Sequence, residues 1–260
     1  MGIGPYVARA LAREGVNIAL SARSEDKLKS VAAGLSKYKI QAVAVPADVT
    51  DAASRENLVE AVKQTFGHID LLINNAGVEW ISPFTDLRFE DIDNLVQTNL
   101  IAPLMIARLV LPHMIKRGSG HVVTMSSLGG KKGQPYSATY AATKAGLIAW
   151  TSSVRAELYR TGVSASVICP GFISDVGMFA VYGKAAPKIS GESKPEKVGE
   201  AVIRAIKKDL QEVVVNPFSI KPMTVLDALN PEIITKLFRK TGLHEFYRGQ
   251  AQDNLKKRQG

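Results

Sequence analysis

Strand-like and helical patterns alternate along this chain from about residue 5 to residue 215. The strand-like runs are apolar and lie at residues 16–21, 41–45, 69–73, 121–125, 163–169 and 212–215. Such alternation favours a parallel sheet covered by helices on both faces. We therefore predict an α/β fold for residues 1–260: a single domain with a doubly wound parallel sheet in three α/β/α layers.

Residues 127–144 carry the side chains best suited to chemistry. Tyr140 and Lys144 are four residues apart in a predicted helix, so both side chains lie on one face, one turn apart. The helix is expected to begin near Ser137, a good N-cap residue. Ser127 lies thirteen residues before Tyr140, at the end of the run 121–125. Ser126 is the alternative serine, but that offset favours Ser127.

The pairing of Tyr140 with Lys144 matters because a free tyrosine has a pKa near 10 and exchanges protons poorly at neutral pH. An ammonium group one turn away favours the phenolate. A tyrosine followed by a lysine at this spacing is also common on ordinary helix surfaces, so the pair needs support from other motifs.

Three further motifs supply that support. Asn74, Asn75, Ala76 and Gly77 follow the run 69–73, Asn99 lies in an apolar predicted helix at 89–116, and Pro170–Gly171 ends the run 163–169. Together with the serine, tyrosine and lysine, these motifs resemble the short-chain dehydrogenase/reductase family in its compact form, from Gly2 to about Val215. The resemblance implies a Rossmann-like fold and a catalytic set of Asn99, Ser127, Tyr140 and Lys144.

The resemblance also implies a dinucleotide cofactor. Its contacts would come from Ile3, Gly4, Arg23, Ser24, Asp48, Val49, Asn75, Ala76, Gly77, Tyr140, Lys144, Pro170, Gly171 and Ile173. Arg23 and Ser24 follow the run 16–21, and no acid precedes Glu25. An arginine there pairs with a 2′-phosphate, so NADP is expected rather than NAD. For Asp48, the competing interpretation is a turn or cap residue.

The N-terminus departs from the family pattern. In the family a buried strand and one more glycine precede the turn that Gly2, Ile3 and Gly4 continue here, and this sequence has neither. Either the true start lies upstream, or the chain was trimmed, or it is a defective relative; we expect the first. The remaining half-turn leads into a helix N-terminus, which favours a pyrophosphate.

Two segments beyond the motifs have predicted roles. Residues of about 172–191 combine glycines with the apolar residues 178–181 and are expected to form a substrate lid, with an ordinary surface loop as the alternative. Residues of about 217–260 form a predicted helical extension. Its apolar stripe, Ile233, Ile234, Leu237, Phe238 and Phe246, is expected to dock on the domain; a partner subunit or a membrane surface are the alternatives.

Composition narrows the classes of function. The net charge is +9, but the basic residues are scattered without interleaved aromatics, so no nucleic-acid partner is expected. The single cysteine, Cys169, excludes an intramolecular disulfide and favours a reducing, cytoplasmic location. His113 and His121 lack partners at metal-ligand spacing, so no metal site is expected.

These observations predict an NADP(H)-dependent oxidoreductase that interconverts a carbonyl and an alcohol on a hydrophobic small molecule. The alternative is a non-catalytic relative, defective at its N-terminus, that acts as a scaffold or interaction protein. The resemblance further implies a homodimer or homotetramer paired through the helices at 89–116 and 137–160.

Overall fold

The computed structural model describes residues 2–180, 185–187 and 190–259. Six strands form among these residues: β1 Ile18–Leu20, β2 Ala42–Ala44, β3 Leu71–Asn74, β4 Gly120–Met125, β5 Val163–Pro170 and β6 Glu212–Val215. The first three are shorter than the apolar runs that predicted them, while β6 coincides with its run.

Eleven α-helices accompany the strands in the described part of the chain. They are α1 Gly4–Arg13, α2 Glu25–Leu35, α3 Ala52–Phe66, α4 Phe89–Val96, α5 Ala102–Arg117, α6 Ala138–Glu157, α7 Gly177–Ala180, α8 Glu196–Lys207, α9 Lys221–Leu229, α10 Pro231–Lys240 and α11 Leu243–Gln259.

All of the paired strands run parallel, as the alternation predicts. Over the described residues the ladders form two groups: β1 pairs with β2, and β3, β4, β5 and β6 follow one another in that order. Helices pack on both faces, which confirms the doubly wound, three-layer α/β/α fold.

Side chains from successive residues of β4 enter opposite layers. Val123 and Met125 join a core cluster with α1 and α8, whereas Val122 packs with Val110 and Met114 of α5. This alternation is the two-residue period of a strand buried on both faces. The middle strands are therefore covered on both sides and hold their carboxyl ends in fixed positions.

Residues with short polar side chains occupy the N-cap positions of α2, α3 and α6, as predicted for Ser137 and α6, but one of these three side chains makes a cap bond. Asp51 caps α3 by accepting a hydrogen bond from the Ser54 backbone N–H at 2.6 Å. Ser24 and Ser137 occupy the N-cap positions of α2 and α6 but make no side-chain cap bond. The Ser137 hydroxyl is engaged elsewhere: it donates to Glu79 Oε1 at 3.0 Å.

The long predicted helix at 89–116 extends from Phe89 to Arg117 and contains a π-helical turn, Gln97–Ile101, between α4 and α5. Among the described residues it is the one helix long and apolar enough to cross a membrane by length and composition. Ile106, Val110 and Met114 are buried against the sheet, the arrangement of a core helix.

The C-terminal apolar stripe is divided between two helices, with Gly242 between them. Ile234 is buried, and Phe238 and Phe246 pack beside Ile81 in a third cluster with α11. Phe238 and Phe246 therefore dock on the domain, whereas the contacts of the helix that carries Ile234 are mainly with the neighbouring helices α9 and α11. Ile233 and Leu237, on the same helix as Ile234, stay 44% and 41% exposed.

Candidate active site

A cavity of about 620 Å³ opens beyond the carboxyl ends of β3, β4 and β5. Parallel strands bring their carboxyl ends to one edge, where side chains from distant parts of the chain converge. The predicted site residues that line the cavity are Ile3, Asn75, Ala76, Gly77, Ser127, Tyr140, Lys144, Pro170, Gly171 and Ile173. Ser127, Tyr140 and Lys144 thus share one cavity, as the motifs predict.

Ser127 follows β4 and begins a short 3₁₀ turn, Leu128–Gly130. Its Oγ accepts from the Gly129 N–H at 3.1 Å and donates to the Pro170 carbonyl at 3.4 Å, close to the limit for a hydrogen bond. The neighbouring Ser126 is buried, and its hydroxyl donates to the Lys144 carbonyl at 2.7 Å. Ser126 therefore fastens the loop to α6, while Ser127 lines the cavity with a hydroxyl that donates only a long hydrogen bond.

Tyr140 and Lys144 lie on the cavity face of α6 and are 6% and 3% exposed. Lys144 Nζ donates to the Met125 carbonyl at 2.9 Å and lies 5.6 Å from the centre of the Tyr140 ring. Burial lowers the pKa of Lys144 to about 8, with the charge of Glu79 opposing that shift. The lysine is thus a cation at neutral pH that loses its proton more easily than a lysine in water.

Glu79 is a cavity residue that the motifs did not predict. Burial raises the pKa of its carboxyl to about 7, against the opposing effects of the Ser137 hydrogen bond and the charge of Lys144. An acid within an apolar stretch, two residues after Gly77, is the sequence signal that could have indicated it. The cavity therefore contains a second group that titrates near neutral pH.

Asn99 is fully buried in the π-helical turn and does not line the cavity. Its side chain bonds both backbone groups of Val78, accepting from the N–H and donating to the carbonyl, each at 2.8 Å. It also donates to Thr143 Oγ1 at 3.4 Å. Asn99 thus joins the loop after β3 to α6, directly beside Gly77 and Lys144.

The loop after β3 carries an unpaired acceptor and a glycine in close contact. Asn75 Oδ1 is buried without a hydrogen-bond partner among the described residues, although Asn75 lines the cavity. A Cβ on Gly77 would lie 3.3 Å from Asn99 Oδ1 and 3.5 Å from Lys144 Nζ. A hydrogen-bond donor on a ligand would satisfy Asn75 Oδ1, and the absence of a side chain at Gly77 lets Asn99 and Lys144 lie close to this loop.

The remaining cofactor predictions fall outside this cavity. Gly4 begins α1, so the first turn of that helix adjoins Gly2 and Ile3 in the lining. Arg23 and Ser24 follow β1, and Asp48 and Val49 follow its parallel partner β2. They form a separate group, as they would if a long ligand extended from the cavity across the strand ends.

Within that group the Asp48 carboxylate is already engaged. Its Oδ1 accepts from the Thr50 backbone N–H at 2.9 Å and from the Thr50 hydroxyl at 2.7 Å. These bonds and the charge of Arg23 hold the pKa of Asp48 below its usual value. This is the turn geometry that the sequence left open as the competing interpretation.

The rest of the cavity is mostly apolar and comes from segments outside the family motifs. The predicted lid contributes Phe172, Val176, Met178 and Phe179, and the C-terminal extension contributes Ile220, Met223, Leu237, Phe238, Leu243, Tyr247 and Gln250. Residues 181–184 and 188–189 of the predicted lid lie outside the described residues. No sequence signal identified the C-terminal lining, because its helical pattern does not show what it faces.

Two further observations concern metal-ligating side chains and the thiol of Cys169. The described ranges contain no group of three or more His, Cys, Asp or Glu side chains that could hold a metal ion. Cys169 is fully buried in β5, and burial raises the pKa of its thiol to about 12, so it is a core residue.

Comparisons with known proteins agree with this architecture. Residues 1–186 match the family described as short chain dehydrogenase. The chain is 38% identical over 260 residues to ketoacyl reductase HetN of Nostoc sp. strain PCC 7120, covering 98% of this chain and 91% of that protein.

Two solved structures share the fold. One is an alcohol dehydrogenase from the archaeon Thermococcus sibiricus complexed with 5-hydroxy-NADP, with a TM-score of 0.74 and 28% identity over 83% of this chain and 92% of that one. The other is a variant of actinorhodin polyketide ketoreductase with NADPH, with a TM-score of 0.74 and 29% identity over 82% and 91%. Together with the match over residues 1–186, these likenesses show that the chain belongs to the short-chain dehydrogenase family of oxidoreductases.

Proposed function

We propose that this chain is an NADP(H)-dependent oxidoreductase that interconverts a carbonyl and an alcohol on a hydrophobic substrate. The observation that carries the proposal is that Ser127, Tyr140 and Lys144 line one cavity whose other walls are mainly apolar. The similar proteins support it, since one is named a ketoacyl reductase and two were solved with NADPH or a derivative of NADP.

The residues present suit such a cofactor. When bound, NADPH would supply the hydride for the substrate carbon. Asn75, with its unpaired Oδ1, and Gly77 would meet the end of the cofactor inside the cavity. Arg23 would pair with the 2′-phosphate at the other end, where its exposed guanidinium adjoins Asp48.

Tyr140 and Ser127 would act on the substrate oxygen. In the reductive direction the Tyr140 hydroxyl donates its proton to that oxygen, and the Ser127 hydroxyl donates a hydrogen bond to it as negative charge develops. The present Ser127 bond to the Pro170 carbonyl is long, so exchanging it for a substrate oxygen costs little.

Lys144 and Asn99 would support the tyrosine. The positive charge of Lys144, held near the Tyr140 ring by the Met125 carbonyl, favours the phenolate that remains after proton donation. By fixing the backbone of Val78, Asn99 holds the loop that borders Lys144. The family resemblance further implies that Asn99 helps to replace the proton that Tyr140 donates.

Replacing the phenol tests this mechanism. Tyr140→Phe is expected to lower turnover of ketones with NADPH by about 10²–10⁴-fold, because the proton donor is lost. NADPH affinity, followed by its fluorescence, should be nearly unchanged. Tyr159→Phe, at a 73% exposed position just after α6, is the matched control and should behave as wild type.

Unchanged turnover in Tyr140→Phe would rule the mechanism out. A wild-type protein that binds no NADPH would instead favour the non-catalytic alternative. A panel of ketones and alcohols of increasing chain length, each tried with both nicotinamide cofactors, would establish the substrate class.

We also propose that copies of the chain pair through the helices that begin at Phe89 and at Ala138. Phe89, Met105 and Ile115 are exposed along the first of these helices. Light scattering coupled to gel filtration should give a mass of at least two chains; a monomer would contradict the pairing.

A further inference from the structure

The part of the cavity lining that α11 contributes contains a polar side chain that the proposed chemistry does not use. Gln250 lies on α11 and lines the cavity together with Leu243 and Tyr247 of the same helix. It is 1% exposed, and neither its Nε2 nor its Oε1 has a hydrogen-bond partner among the described residues.

A buried amide with both ends unpaired is rare because each unpaired group loses its bonds to water and gains nothing in return. The neighbours of Gln250 on α11, Tyr247 and Ala251, belong to an apolar cluster with Ile81. A methionine or leucine would suit these surroundings better than an amide. The amide therefore indicates a partner that is not part of the chain.

The geometry of α11 shows where that partner would lie. Asn254, one turn after Gln250 on the same helix face, donates to the Ile81 carbonyl at 2.9 Å. This face of α11 therefore covers the segment of Glu79 and Ile81, which both line the cavity. A ligand group between α11 and this segment would contact Gln250, and the other side chains around it would be mainly apolar.

The chemistry of the amide defines the group. A glutamine side chain offers one acceptor and two donor hydrogens, so its best complement both donates and accepts. Hydroxyl and amide groups do so, whereas a ketone or an ester only accepts.

We propose that Gln250 is a specificity-determining residue that binds a second polar group of the substrate, a hydroxyl or an amide, at a distance from the carbonyl held by Ser127 and Tyr140. This inference rests on the proposed function and names the substrate class more closely: a largely apolar ketone or alcohol with one further donor–acceptor group.

Three ketones of equal chain length test the inference. Decan-2-one has no second polar group, 10-hydroxydecan-2-one carries a hydroxyl at the far end, and 9-oxodecanamide carries an amide there. Their dissociation constants would be measured by calorimetry on the full chain with NADPH omitted, for the wild type, Gln250→Met and Gln252→Met. Gln252 is an exposed glutamine on the same helix and serves as the matched control.

We compare the affinity of the polar ketone that binds wild type more tightly with the affinity of decan-2-one. This ratio should fall about threefold to tenfold in Gln250→Met, which corresponds to the loss of one hydrogen bond. In Gln252→Met the ratio should equal that of the wild type. Loss of preference for one polar ketone but not the other would identify the group as hydroxyl or amide. The same ratio in wild type and Gln250→Met for both ketones would overturn the inference.

Stability gives an independent check. Methionine removes an unpaired amide from apolar surroundings at similar volume, so the melting temperature of Gln250→Met should equal or exceed that of the wild type. A marked fall would mean that the amide is paired within the fold, and would overturn the inference. The dissociation constants are measured without turnover, so they test the role of Gln250 by itself. A failure of the proposed oxidoreductase activity would appear instead in the rates of ketone reduction with NADPH.

Discussion

At the scale of single residues, the pair of Glu79 and Lys144 is the most unusual feature of the cavity. Burial raises the pKa of the acid to about 7 and lowers that of the base to about 8. The two groups therefore change charge within a narrow range around neutral pH. Since the charge of Lys144 would assist Tyr140, the protonation of Glu79 bears on the chemistry although it is not a family motif.

The raised pKa of Glu79 predicts a pH-dependent stability. In the unfolded chain the carboxyl ionises above its ordinary value of 4.5, whereas in the folded protein it keeps its proton up to about 7. The contribution of the Glu79 carboxyl to the free energy of unfolding is therefore fully present below pH 4.5, and it is lost as the pH rises through 7. Glu79→Gln should remove this loss and be more stable than wild type at pH 8 by about 1–2 kcal/mol.

Urea unfolding at pH 5 and pH 8 would measure the effect of Glu79→Gln. Glu56→Gln, at an exposed position on α3, is the control and should follow the wild-type curve. Parallel pH dependences for wild type and Glu79→Gln would show that the carboxyl is not held neutral by the fold.

Arg23 provides a second prediction at this scale, on cofactor preference. Arg23→Ala should raise the KM for NADPH about tenfold or more while changing that for NADH little, because a charge-assisted bond to the 2′-phosphate is lost. Steady-state kinetics with both cofactors would measure this, with Arg160→Ala as a control outside the site. An equal loss for both cofactors would contradict a role in reading the phosphate.

At the scale of elements, the loop after β4 rests directly on the backbone of α6. A Cβ added to Gly130 would lie 2.6 Å from the Lys144 carbonyl carbon and 2.7 Å from its oxygen, closer than real contacts allow. The Ser126 bond to the same carbonyl fastens the contact. This approach determines how far Ser127 lies from Tyr140 and Lys144.

Gly130→Ala should therefore harm stability and turnover together. The methyl group meets backbone atoms that cannot rotate away, so we expect a loss of about 1–3 kcal/mol in unfolding free energy and a lower kcat. Gly133→Ala is the matched control in the same loop, because nothing lies within 4 Å of its Cβ position. Equal behaviour of the two variants would show that the loop is not held by this contact.

At the scale of the whole molecule, the strands divide into ladders of very different strength. The ladder between β4 and β5 has six aligned residue pairs and is buried on both faces. In contrast, β1 and β2 are three residues long and, over the described residues, pair with each other alone. Local opening follows such differences in pairing and burial.

Hydrogen exchange should reveal this division. Backbone amides of β4 and β5 should exchange at least about tenfold more slowly than those of β1 and β2, since opening the short ladder breaks fewer contacts. Mass spectrometry of peptides from the exchanging full chain would measure both regions in one sample. Equal protection of the two ladders would show that the sheet opens as one unit.

Much of the fold and part of the candidate site follow from short-range sequence patterns. The order and type of the elements through β6 follow from local periodicity, and parallel pairing brings the residues after β3, β4 and β5 to one edge. Motif residues such as Asn75, Ser127 and Tyr140 could be placed there because each lies at a fixed distance from its own strand or helix. Their catalytic roles stay predictions.

The tertiary structure alone decided what surrounds those residues. The hydroxyl of Ser137 is engaged by Glu79 instead of a helix end, and Asn99 lies in a π-helical turn that periodicity does not distinguish from an α-helix. Gln250 reaches the cavity only because α11 folds back over Ile81, a contact that joins Ile81 to Asn254 across 173 residues. Periodicity describes which face of an element is apolar, but the partner of that face depends on long-range packing, which no local pattern records.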